Sequence, residues 1–206
     1  MPVPQQWDAT AIKIVFSDVH LGTGEHPGLA NPYEDFRQDD RLAELILHHC
    51  QGAYEQIPVE IIINGDFMDL LKIPIGGAFP LEVDEDIAVE KVRRVIRGHP
   101  EVFDAMATFV RVPGHTITYI PGNHDVEVAF PRAQNLIRAR LNILSKPELF
   151  KFYTEHDTLR LPSGIVVTHG NNFEAMNSIE PGRFIVDGPD GKQIAAVPFE
   201  IGRAHV

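Results

Sequence analysis

With 206 residues, 44% of them hydrophobic and 23% charged, the chain has the make-up of one globular domain rather than a disordered or fibrous one. A formal charge of −11 opposes sequence-independent binding to long nucleic acid, which draws on Lys and Arg. Cys50, the only cysteine, excludes an intrachain disulfide. No apolar run approaches the ~18 residues of a membrane span, and residues 1–10 lack the basic-then-apolar order of a signal peptide, so a cytoplasmic location is the expectation.

In chain order, Ile12-Lys13-Ile14-Val15-Phe16 alternates and then turns apolar, as a buried strand does. Residues 21–38 are rich in Gly, Pro and Asn without a period and read as a long loop. Asp39 or Asp40 is placed to cap a helix running to about Ala53, with Leu42, Leu45, Ile46 and His49 on its buried face. The run Val59, Ile61, Ile62, Ile63 has the character of a central strand. Residues 70–85, with Ile73, Ile75, Phe79 and Leu81 among Pro and Gly, form an irregular apolar insert that is either a lid or core packing. Helices are expected over 86–98, 101–111 and 133–144, the last with Arg138 and Arg140 on a solvated face, and a third strand over 115–120. Residues 158–161 and 165–168 flank Pro162-Ser163-Gly164 as a hairpin. Beyond Glu174 only turns around short apolar runs are visible.

Four polar clusters each follow an apolar run: Asp18-Val19-His20, Gly65-Asp66-Phe67-Met68-Asp69, Gly122-Asn123-His124-Asp125 and His169-Gly170-Asn171. Residues just past the carboxyl ends of α/β strands converge on one crevice. At positions i and i+2 of an extended segment, Asp18 and His20 would point the same way. A donor set of imidazole, carboxylate and amide suits Mn²⁺, Fe²⁺, Co²⁺ or Zn²⁺ better than Ca²⁺ or a thiolate zinc site.

This ordered set, spread from Ile12 to Asn171, resembles that of the calcineurin-like metallophosphoesterases. Its motif style looks most like the branch that includes UDP-2,3-diacylglucosamine pyrophosphohydrolase. The resemblance implies a single domain over 1–206 with an α/β fold, a four-layer α/β/β/α sandwich with mixed sheets. It implies two divalent ions, Mn²⁺ before Fe²⁺, Zn²⁺ or Co²⁺. Asp18 and His20 would hold the first, Asp66 would bridge, and Asn123 and His169 would hold the second. The pair would activate water for in-line attack on a phosphomonoester, phosphodiester or pyrophosphate. His124 carries over as the group at the leaving oxygen, Asp125 as its support, and Asp69 as a residue behind the ligands. The alternatives are a nuclease of the same superfamily and a binding module without activity. A phosphorylated small molecule or lipid-linked compound is the expected substrate. The resemblance also implies a late Gly-His-x-His segment. Gly202-Arg203-Ala204-His205 matches it only in part, so the chain is expected to stop before that segment, leaving the second sheet incomplete and the first metal weakly held.

Overall fold

The computed structural model describes residues 10–25, 31–162 and 164–198. The expectation placed on Gly202-Arg203-Ala204-His205 lies outside them. Four strands, β1 (Ile12–Phe16), β2 (Val59–Asn64), β3 (Thr116–Ile120) and β4 (Phe150–Phe152), form one parallel sheet in that order. Parallel neighbours need crossover connections. Helices α1 (Asp39–His48), α2 (Glu85–Gly98), α3 (Pro100–Phe109) and α4 (Pro131–Arg140) lie between these strands in sequence. Two antiparallel pairs follow: β5 (Thr158–Arg160) with β6 (Val166–Thr168), and β7 (Ile185–Asp187) with β8 (Gln193–Ala195). The class is α/β, with parallel and antiparallel strands sorted into separate sheets.

Register explains the core. Phe16 lies beside Ile63, Ile63 beside Tyr119 and Tyr119 beside Phe152. This row belongs to the large core cluster, which also takes in the apolar faces of the helices, such as Ile46, Val92, Phe103 and Ile137. On the other face, the β5–β6 hairpin sets Val167 on Ile62 and Ile120 in a smaller cluster. Val15, on the edge strand, is 46% exposed.

Several boundaries differ from the expectations. Helix α1 ends at His48 because His49 Nδ1 and Gln51 Nε2 meet the carbonyls of Leu45 and Leu47 at 2.8 and 3.3 Å, closing its carboxyl end. Gln38 is its N-cap, Asp39 and Asp40 form its first turn, and the buried stripe is Leu42, Ala43 and Ile46, with Leu45 exposed. Helix α2 does have a side-chain cap, since Asp84 accepts from Ile87 N–H at 3.0 Å. Pro100 and Pro131 begin α3 and α4, where their missing N–H groups would have had no partner anyway. Of the apolar insert, Leu70, Leu71, Ile73 and Val83 pack in the core while Leu81 stays in solvent. Arg138 and Arg140 are not merely solvated. Arg138 donates to Phe150 O and lies over the Phe152 ring, while Arg140 pairs with Asp104 of α3 at 2.7 Å.

Candidate metal centre

Pairing between β1 and β2 continues past the strands into their loops. The N–H groups of Asp18, His20 and Leu21 donate to the carbonyls of Gly65, Asp66 and Phe67 at 3.2, 2.9 and 2.9 Å. Asp69 N–H donates back to Leu21 O, and Leu70 N–H reaches His124 O at 3.1 Å. Three loops thus form one hydrogen-bonded shelf. It holds Asp18, His20 and Asp66 at φ of 54°, 56° and 52°, in the left-handed region. Such backbone costs about 1–3 kcal/mol per residue and persists where the surroundings over-determine it. The extended segment expected for Asp18 and His20 is therefore absent; left-handed turns aim these side chains.

Glycines make the close approach possible. Gly122 packs so near the second loop that a Cβ there would overlap the Asp66 carboxylate. At Gly65, which also has φ +80°, a Cβ would overlap the His169 ring.

Two triads of ligand-type side chains result, His20/Asp66/His124 and Asp18/Asp66/His169, each with its ligand atoms within 4.8 Å of one another. Asp66 belongs to both. Asp18 and His20, expected together, fall in different triads. Asn123 joins through His169, its Oδ1 standing 3.2 Å from Nε2. All the residues named from sequence as ligands therefore meet here, His169 from the hairpin and the rest from loops at the parallel sheet.

The ring nitrogens have distinct partners. His169 Nδ1 lies 2.9 Å from Asn64 O, which fixes Nδ1 as the protonated nitrogen of the neutral ring. Its Nε2 then faces two acceptors, Asn123 Oδ1 and, at 3.3 Å, Asp66 Oδ2. Three acceptors aimed at one point call for a cation or a proton between them. Burial pulls the His169 pKa down, but Asp66 and Asp125 raise it to about 9. For His20, the Asp69 carboxylate 3.4 Å from Nδ1 leads the upward shift, against burial, with the charges of Asp66 and Asp18 adding to it. The carboxylates around these rings thus favour positive charge between them, whether proton or cation.

Asp69 stands behind the ligand-type side chains as expected, whereas Asp125 does not support His124. The Asp69 carboxylate is nearly inaccessible; Oδ1 meets His124 Nδ1 at 3.0 Å, and Oδ2 lies 3.4 Å from His20 Nδ1 and 2.9 Å from Lys72 Nζ. Burial alone would raise its pKa, yet these partners hold it well below the usual carboxylate range. Asp125, by contrast, accepts from Gly122 N–H at 2.6 Å, Tyr119 O–H at 2.6 Å and Phe67 N–H at 2.8 Å. Its oxygens go to the loops rather than to His124, so Asp69 takes the supporting place expected of Asp125. Burial first, then the Asp66 charge, pushes the Asp125 pKa up to about 6. Tyr119, not among the residues expected at the site, reaches Asp125 through its hydroxyl from six residues away across a turn. A tyrosine among aliphatic residues at the end of a central strand was the available signal.

The sequence model of a family described as calcineurin-like phosphoesterase matches residues 14–194, most of the chain. A search of curated proteins returns no match.

Proposed function

The chain belongs to the calcineurin-like phosphoesterase family, metal-dependent hydrolases of phosphoester bonds, and on that premise we propose a reaction at the two triads that share Asp66. Asp18, His20, Asp66, Asn123 and His169 would hold two divalent ions, Mn²⁺ first among Fe²⁺, Zn²⁺ and Co²⁺. Ions bound there would lower the pKa of water and offset charge developing on the phosphoryl oxygens. The single observation carrying this reading is the shared, buried Asp66 with imidazoles on either side.

The chain's own residues supply the rest. Asp69 accepts from His124 Nδ1–H, so the ring in its imidazolium form has Nε2–H to donate as a proton or hydrogen bond to the departing oxygen. Asp69 thereby sets the ring's tautomer as well as its orientation. Asp66 Oδ1 accepts His124 N–H at 2.9 Å, so the acid and the shared carboxylate are fixed to each other. The substrate is a phosphorylated small molecule or lipid-linked compound, cleaved in the cytoplasm. The closeness to the UDP-2,3-diacylglucosamine pyrophosphohydrolase branch is part of this proposal and rests on motif style. Net charge favours this reading over a nuclease.

Hydrolysis of bis(4-nitrophenyl) phosphate with Mn²⁺ tests it. His124→Ala is expected to lower kcat by about 10²–10⁴-fold with metal content unchanged. An unchanged kcat would remove His124 from the reaction.

A further inference from the structure

A cavity of about 370 Å³, a volume in the range of small-ligand sites, opens beside Gly22 and Thr23. Among the described residues its walls include Lys72, Arg94 and Arg97 but no carboxylate, which is notable in a chain of net charge −11. The cations differ in how far they are committed. Lys72 Nζ donates to Asp35 at 2.5 Å and forms an ion pair with Asp69 at 2.9 Å, so carboxylates hold it on two sides. Arg94 gives Nε to Glu90 and one terminal N–H to Pro74 O, leaving the remaining N–H groups of its fork. Arg97, one helical turn further along α2, is exposed and has no hydrogen bond or ion pair among the described residues. Asp35, Asp69 and Glu90 hold the first two cations, so Arg97 is the wall cation without a partner among the described residues.

The position matters as much as the charge. Lys72 bonds the same Asp69 that holds His124, so the cavity begins one carboxylate away from the centre. Gly22 and Thr23, also in its wall, follow directly on the loop that carries His20. Ile73, Pro74 and Tyr33 add apolar surface between the cations, and the Tyr33 ring stands edge-on to Phe79.

We propose that this cavity is a subsite for a second anionic group of the substrate, a phosphate or carboxylate carried on a short organic arm beyond the scissile phosphate. The proposal rests on the phosphoesterase reading and deepens it. Arg97 and the free edge of Arg94 take the anion, Lys72 marks the boundary with the reacting centre, and the arm lies along Ile73, Pro74 and Tyr33. Substrates ending in a neutral group leave the guanidinium groups in water.

Two measurements on the full chain test this. In the first, inorganic phosphate is titrated while the Nε–Hε NMR signals of the arginines are followed. The Arg97 and Arg94 signals are expected to move and saturate, and the exposed Arg111 signal is not. Equal movement of all three, or none, would overturn the subsite. In the second, kcat/KM is compared for bis(4-nitrophenyl) phosphate and 4-nitrophenyl 4-carboxyphenyl phosphate. Wild type should prefer the carboxylate diester by about tenfold, the scale of one charge-assisted bidentate contact, and Arg97→Gln should remove that preference while Arg111→Gln retains it. No preference in wild type, or a preference untouched by Arg97→Gln, would overturn the subsite. Failure to hydrolyse either diester would instead overturn the phosphoesterase reading, with the arginine signals still deciding whether the cavity takes anions.

Discussion

Gly122 has no side chain, yet the centre depends on it: the space where its Cβ would stand is filled by the Asp66 carboxylate. Gly122→Ala is expected to displace Asp66 and lower kcat/KM by about 100-fold, the scale of a 1 Å misplacement, while a thermal melt still shows a folded chain. A wild-type rate would mean that the loops accommodate the methyl group. A second residue-scale device is His99, buried between Asp39, 2.9 Å from Nδ1, and Glu34, 3.5 Å from Nε2. Glu34 also accepts N–H groups from Gly22 and Gly24, and so ties the loop after His20 to the start of α3. Burial works against charge on His99, but Glu34 and Asp39 raise its pKa above 6.5. Burial works against charge on Glu34 too, yet His99 and the backbone N–H groups lower its pKa below 4.5. With its folded pKa raised, His99 contributes stability fully below about pH 6.5 and loses it as pH rises through the folded value. With its folded pKa lowered, Glu34 contributes fully above about pH 4.5 and loses it as pH falls through the folded value. The Tm difference between wild type and His99→Asn should therefore be largest near pH 5.5–6.5 and shrink towards pH 9. A difference that grows with pH would contradict a charged His99.

Helix α2 meets the short turn Val126–Ala129 through Lys91 and Glu127, a 2.9 Å ion pair with both partners buried. The turn follows the Asn123-His124-Asp125 loop directly, so the pair helps to set where that loop sits. Removing one partner leaves a buried charge, and Lys91→Met is expected to cost about 3–5 kcal/mol in urea denaturation. Adding Glu127→Leu should recover most of that loss, because two apolar groups replace the pair. If the double variant is as unstable as the single one, the pair is held by more than desolvation. Strands β1 to β3 and the loops after them were readable in the sequence because continuous β-branched runs leave little alternative. The strand Phe150-Lys151-Phe152 was not, since three residues give no period; it exists because β3 offers Ile117, Thr118 and Tyr119 as its ladder. Helix ends were shifted by side chains that close them, such as Gln51, which periodicity does not register.

Across the whole molecule, the centre draws on two sheets. Its ligand-type residues come from loops of the parallel sheet and, through His169, from a hairpin held by Val167 on Ile62 and Ile120. The ligand-type residues were legible because each stands at the end of an apolar run. Their grouping was not, because it depends on the left-handed turns at Asp18, His20 and Asp66 and on spaces left by Gly65 and Gly122. The support of His124 was likewise not legible, since adjacency in sequence does not determine which carboxylate, Asp125 or Asp69, reaches its ring. What remains central is that Asp66 belongs to both triads, which the proposed reaction treats as one metal-dependent site. The most direct test is to strip the protein with a chelator, add back Mn²⁺, and follow metal content and hydrolysis of bis(4-nitrophenyl) phosphate in wild type and Asp66→Asn. Wild type should lose activity on stripping and regain it with Mn²⁺, while Asp66→Asn binds less metal and stays inactive. Hydrolysis that survives stripping, or an Asp66→Asn protein with wild-type metal content and rate, would contradict the account.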